Sequence, residues 1–186
     1  MRAIIFGSNS DIAKNLVHRL SLDGWEVDGV RGDSWDLFIC AVGTLKPIGS
    51  FEYSDAAEWE ESVRSNCILP LRMLRRLLPF RNFMASAIFF SGTNPAKVNP
   101  GYSAYSASKA MLVRAVQEID AELTNAKCFT LAPGFVRTKI HKVHDVSDRG
   151  EGTSHERIYQ VMKHLLSRPK SEVGGKVFHV PTYEML

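Results

Sequence analysis

Apolar residues along this chain come in two rhythms, and their alternation predicts the fold. The short apolar run Ala3-Ile4-Ile5-Phe6 has the profile of a strand covered on both faces, Leu37-Phe38-Ile39-Cys40-Ala41 reads as a buried strand, and Ala87-Ile88-Phe89-Phe90-Ser91, Lys127-Cys128-Phe129-Thr130-Leu131 and Lys176-Val177-Phe178-His179-Val180 read as further strands. Trp25 to Val30 reads as one more strand. Between them the apolar spacing widens to helical intervals. A helix over about 11–22 carries Ile12, Leu16, Val17 and Leu20 on one side and stops at Asp23-Gly24. A longer one over 55–78 opens on the capping box Asp55-Ala56-Ala57-Glu58. Pro70 lies inside it and should kink it near Asn66. Over 104–123, Ala107, Met111, Ala115 and Ile119 recur at four-residue intervals, and a last helix spans about 154–166. Alternating strands and helices of this kind imply an α/β fold, a doubly wound parallel sheet in one domain, residues 1–186.

One interval breaks the alternation. Only Gly32-Asp33-Ser34-Trp35-Asp36 separates Arg31 from the run at Leu37. A helical crossover takes roughly a dozen residues, so no helix fits. The connection should cross the sheet extended, with Trp35 covering apolar surface there.

Composition narrows the class without selecting a function. The 186 residues are 45% hydrophobic and 23% charged with net charge +3, which excludes a disordered chain and gives no basic stripe for nucleic acid. Cys40, Cys67 and Cys128 sit in or beside apolar runs, which suits reduced thiols in the cytoplasm, and no Cys/His spacing fits a metal site. Met1-Arg2 leads directly into a strand with no signal peptide, and no apolar run nears the roughly 20 residues of a membrane span. The expectation is a cytoplasmic protein with no metal, nucleic acid or membrane partner.

The candidate chemistry lies in two places. Gly7-Ser8-Asn9-Ser10 joins a buried strand to a helix N-terminus, where backbone N–H groups and the helix dipole favour a pyrophosphate. Tyr105 and Lys109 are one helical turn apart on the same face. A phenol titrates near ~10, and a neighbouring cation can lower that by roughly 1–3 units, toward useful acid–base work. The spacing alone also fits a surface Tyr and Lys with no role.

In their order, these pieces resemble the short-chain dehydrogenase/reductase family over nearly the whole chain: Gly7 to Ala13, Val42-Gly43, Asp55 to Asn66 with Trp59, Tyr105-Ser-Ala-Ser-Lys109-Ala, and Ala132-Pro133-Gly134-Phe135-Val136-Arg137-Thr138. The resemblance implies a Rossmann-type sheet and an NAD(P)-dependent oxidoreductase that interconverts a carbonyl and an alcohol. It implies Tyr105 as the acid–base, Lys109 on the nicotinamide ribose and lowering the tyrosine pKa, and Asn66 holding a water linked to Lys109. Pro133, Gly134, Val136 and Thr138 would bracket the carboxamide. Gly7, Ser8, Asn9, Ser10 and Ile12, with Asp11, would line the pyrophosphate and adenosine ribose, and Ala41, Val42 and Gly43 complete the cofactor wall.

Four departures qualify the resemblance. The family's catalytic serine position is Gly92, leaving Ser91 or Thr93 to supply a hydroxyl; Ser91 is the candidate. Cys40-Ala41-Val42-Gly43 replaces an amide-bearing signature, and Asp11 replaces a glycine; against the family pattern the short link after Arg31 trims away a strand, two helices and the adenine-side acid, for which Asp33 is the candidate substitute. Arg31, beside the second strand's end, favours NADP, with NAD possible. The alternative function is a catalytically weak or inactive NAD(P)-binding, sensing module. Residues 137–153 would form a substrate lid, and the helices at 55–78 and 104–123 carry enough apolar surface for a homodimer or homotetramer.

Overall fold

A computed structural model of the chain describes residues 1–28, 34–92, 98–138 and 152–185. Its strands are β1 (Arg2–Phe6), β2 (Glu26–Asp28), β3 (Trp35–Cys40), β4 (Arg81–Phe90), β5 (Ala126–Ala132), β6 (Val177–His179) and β7 (Glu184–Met185). They form one sheet in the order β2-β1-β3-β4-β5-β6-β7. β1 to β6 are parallel, and β7 folds back antiparallel on β6.

Alternation along the strands divides the apolar core in two. Ala3, Ile5, Leu37, Ile39, Ile88, Phe129 and Leu131 face α1 (Asp11–Leu22), α5 (His155–Leu166) and the short α6 (Lys170–Val173). Ile4, Phe38, Cys40, Ala87, Phe89 and Cys128 face α2 (Ala56–Val63), α3 (Leu69–Leu77) and α4 (Ser103–Glu122). Strands buried on both sides need continuous apolar runs, which is why the sequence reveals them.

β2 and β3 flank β1, follow one another in the chain, and have no helix between them among the described residues. Asp28 stands opposite Ile4, and Leu37 opposite Ala3. The chain therefore returns along the strand axis by roughly three residues, about 10 Å, less than a full strand length. Trp35 belongs to β3 and not to the connection. It is fully buried, and its indole N–H donates to the Leu77 carbonyl at 2.8 Å.

β4 starts six residues before the expected Ala87. Trp35 pairs with Arg81 and Leu37 with Ser86, so β4 holds three more residues than β3 across that interval. The surplus makes a bulge. Met84 sits there at φ 63°, its N–H still donating to Asn125 O at 2.8 Å.

The 55–78 helix is not a simple kink. Between α2 and α3, residues Arg64–Ile68 form a π-turn in which the Leu69 N–H reaches back five residues to Arg64 O. Pro70, in the first turn of α3, has no N–H to give to the carbonyl four residues back, and the wider turn accommodates its ring. On α4 the buried stripe is Ala104, Ser108, Leu112, Val116 and Asp120. The expected stripe is the outer one, with Ala107 and Met111 exposed.

The buried Lys127 and the half-buried Lys170 finish helices at their carboxyl ends. Lys170 donates to Leu123 O at 2.7 Å and Ala126 O at 3.0 Å and pairs with Asp120 at 3.0 Å. Lys127 donates to Leu166 O at 2.8 Å. Both place a cation where the helix dipole is negative.

Candidate active site

At the carboxyl edge of the sheet, the turn after β1 and the chain leaving β3 approach too closely for most side chains. Gly7 has φ 91°, and a Cβ there would lie 2.8 Å from Val42 Cγ2 and 2.9 Å from the Ala41 carbonyl carbon. Only glycine combines that backbone with that spacing. Ser10 then caps α1, its N–H donating to Gly7 O at 3.0 Å and its Oγ accepting from Ala13 N at 3.1 Å. Ser10, Asp11 and Ile12, the opening of α1, face a cleft of about 520 Å³.

The opposite wall is built by α4 and the ends of β4 and β5. Tyr105, Lys109, Phe90, Ser91, Pro133, Gly134, Val136 and Thr138 all line the same cleft. Of the residues expected there from sequence, Gly7, Asn9, Ser10, Asp11, Ile12, Ala41, Val42 and Gly43 also line it. Ser8 does not; it is an exposed turn residue. Arg31, Thr93, Asp33 and the greater part of the 137–153 segment fall outside the described residues. Leu45 and Phe90 are cleft walls the sequence reading missed. Phe90 ends an apolar run at the sheet edge, a position that could have signalled it.

Lys109 is buried, and its ammonium donates to Phe90 O at 2.8 Å, with Nζ 5.9 Å from the centre of the Tyr105 ring. Burial lowers its pKa to about 8, with Cys40 and Cys67 acting in the opposite direction. Burial pushes the Tyr105 hydroxyl up to about 12. This reverses the expected lowering by Lys109. The ammonium is turned to a carbonyl and does not contact the phenol oxygen, so desolvation of the phenolate wins. The ring is only half-buried, and its open side faces the cleft.

Gly92 explains where the ring rests. A Cβ at this position would lie 2.9 Å from Tyr105 Cε1 and 3.0 Å from its hydroxyl. The phenol occupies the space that a side chain at 92 would fill. Ser91 is buried beside it, donating its hydroxyl to Gly92 O at 3.1 Å.

Asn66 lies behind the cleft, not on its wall. The π-turn aims its amide at the loop after β3, where Oδ1 accepts from Thr44 N at 2.8 Å and Nδ2 donates to Thr44 O at 3.0 Å and Ser62 Oγ at 3.1 Å. It therefore clamps the 43–44 backbone. A Cβ on Gly43 would lie 3.1 Å from Asn66 Oδ1 and 3.6 Å from Lys109 Nζ, so the three are packed together. Among the described residues no cluster could hold a metal ion, and no helix is long and apolar enough to cross a membrane.

Residues 29–180 match a family model described as enoyl-(acyl carrier protein) reductase. No curated protein matches the sequence. Among solved structures, an aldohexose dehydrogenase from Thermoplasma acidophilum is similar at TM-score 0.83 and 15% identity, covering 96% of this chain and 92% of that one. A small-chain dehydrogenase solved in complex with NADPH is similar at TM-score 0.84 and 14% identity, over 96% and 95%. A short-chain type dehydrogenase/reductase from Mycobacterium ulcerans aligns at TM-score 0.82 and 15% identity, over 96% and 87%.

Proposed function

The chain belongs to the short-chain dehydrogenase/reductase family, and on that premise we propose that it reduces a carbonyl, or oxidises the matching alcohol, with NADP or NAD. The observation that carries this reading is the single cleft shared by a glycine-closed strand–helix turn and the Tyr105/Lys109 pair. The residues fit a dinucleotide: Gly7 leaves room for backbone approach, the start of α1 favours a diphosphate, and apolar Val42, Phe90 and Val136 suit a nicotinamide ring. A bound dinucleotide supplies the hydride. Tyr105 donates the proton that the carbonyl oxygen gains as its carbon accepts that hydride, and in the oxidative direction takes it back. Lys109 holds the ribose hydroxyls and places positive charge beneath the phenolate. Ser91 is the hydroxyl available to the substrate oxygen, and Asn66 positions the loop that presents Gly43. The segment 137–153 would cover the substrate.

Reduction needs the phenol protonated and the lysine charged. With pKa values of about 12 and about 8, both hold below pH 8, so the reductive rate is level there and declines above it. Gly92 and the high phenol pKa favour slow turnover, and a binding or sensing role is the second reading on that ground. NADPH absorbance with ketone, aldehyde and enoyl-thioester substrates separates the readings. Oxidation of NADPH that depends on Tyr105 supports the enzyme, and tight dinucleotide binding with no turnover on any of them supports the sensor. NADP is the preferred form through Arg31; an NADH preference that survives Arg31→Ala would overturn that.

The free, buried Cys40, Cys67 and Cys128 suit a reducing cytoplasm. The exposed Ala107, Ala110 and Met111 on α4, with Ile68 on the π-turn, would form the seam of a homodimer or homotetramer. Sedimentation as a monomer at micromolar concentration would refute that assembly.

A further inference from the structure

The end of the sheet farthest from the cleft has a surface that neither the fold nor the proposed chemistry uses. Strands β1, β3, β4 and β5 begin there, and α1, α3, α4 and α5, which run back from them, end there. The bulge in β4 puts Phe83 out at 81% exposure with Met84 at 50%, and Phe80, just before it, is at 44%. Met1 and Leu22, at the start of β1 and the end of α1, are each 74% exposed on the same end of the molecule.

Positive charge lies beside this apolar group. Arg72, Arg75 and Arg76 are exposed on α3, and none has an ion-pair or hydrogen-bond partner among the described residues. Arg72, Arg76 and Phe80 follow at four-residue intervals, so one stripe runs down the helix and ends on the exposed ring. Arg64, Arg114 and Arg168, also exposed, are each neutralised by a carboxylate, of Glu61, Glu118 and Glu172 in turn.

We propose that this strand-start edge, Phe80, Phe83 and Met84 flanked by Arg72, Arg75 and Arg76, docks the protein on an anionic lipid surface. Charge complementarity selects a lipid surface as the occupant. Phe83 stands 81% exposed on the bulge, and an exposed aromatic enters a fluid acyl boundary without needing a shaped partner. Unpaired arginines within two turns complement a negative headgroup layer, and their stems cover apolar surface while the guanidinium groups stay wet. The cleft lies at the other end of the strands. β5 spans seven residues, roughly 20–25 Å, so the docked protein keeps its cleft open to water. This departs from the expectation of no membrane partner, which rested only on the absence of a spanning helix.

The test is co-sedimentation of the intact protein with vesicles of phosphatidylcholine alone and with roughly one-third phosphatidylglycerol added. Binding to the second and not the first is expected, falling as salt rises. Phe83→Ser with Met84→Ser should weaken it about tenfold, and Arg75→Glu with Arg76→Glu by roughly thirtyfold or more. Phe51→Ser with Tyr53→Ser, which removes exposed aromatics at the carboxyl edge, should leave it unchanged. Thermal unfolding of each variant checks that these exposed positions leave the fold intact. No binding to anionic vesicles, binding unaffected by both pairs, or equal loss in the Phe51/Tyr53 control would overturn the proposal. So would dissociation of a lipid-free oligomer by the Phe83/Met84 pair, which would assign the bulge to a second copy of the chain.

Discussion

The two halves of the carboxyl edge are built to different standards. Around β4 and β5 the elements are long, ten and seven residues of strand and the twenty-residue α4, and they bury Lys109 and enclose one side of Tyr105. Around β1 and β2 the sheet ends in a three-residue edge strand, and the cleft there is formed by one turn and the start of α1. On the proposed reading, the first half performs proton transfer and the second only holds the dinucleotide. Chemistry requires groups fixed within fractions of an ångström, whereas a handle can be shortened at a cost in affinity alone. A chain that sheds residues is expected to shed them from the holding side.

Substitutions on the two halves should therefore fail differently. Tyr105→Phe removes the transferable proton and should lower turnover by about three orders of magnitude, with dinucleotide affinity within about twofold by fluorescence titration. Equal loss of binding would erase the distinction between the halves. Lys109→Met should cost roughly a hundredfold in kcat/KM and abolish the decline of the reductive rate above pH 8, because the group whose charge is lost there is gone. A decline that persists at the same pH would assign it to another residue.

Gly7→Ala tests the holding side. The new Cβ meets backbone at 2.9 Å in a left-handed conformation, so we expect a loss of about 2 kcal/mol in denaturant unfolding together with weakened dinucleotide binding. Gly92→Ala has the smallest effect. It presses on the tip of the Tyr105 ring, which can yield, so stability should change by less than about 0.5 kcal/mol while kcat falls about tenfold.

The sheet could be read from sequence because strands covered on both faces leave continuous apolar runs, and the short link before Leu37 was visible as missing length. Other features were hidden for physical reasons. The β4 bulge was invisible because Phe80, Phe83 and Met84 are apolar yet exposed, the reverse of what pattern reading assumes. α4 was located by its outer stripe, since Ser108, Lys109 and Asp120 are polar but buried. Most cleft residues could be named in advance because loops leaving a parallel sheet at one edge must converge there. The direction of the Tyr105 shift could not, because it depends on which acceptor the Lys109 ammonium chooses.

The widened turn at 64–68 and Pro70 depend on each other. Deleting one residue from the turn would drive the pyrrolidine ring into the carbonyl four residues before it, whereas Pro70→Ala alone would leave a surplus residue with no regular place. Neither one-step change reaches an ordinary helix, so drift has no downhill route to one. The grip of Asn66 on Thr44 is thereby protected by a pair of irregularities, each of which makes the loss of the other costly.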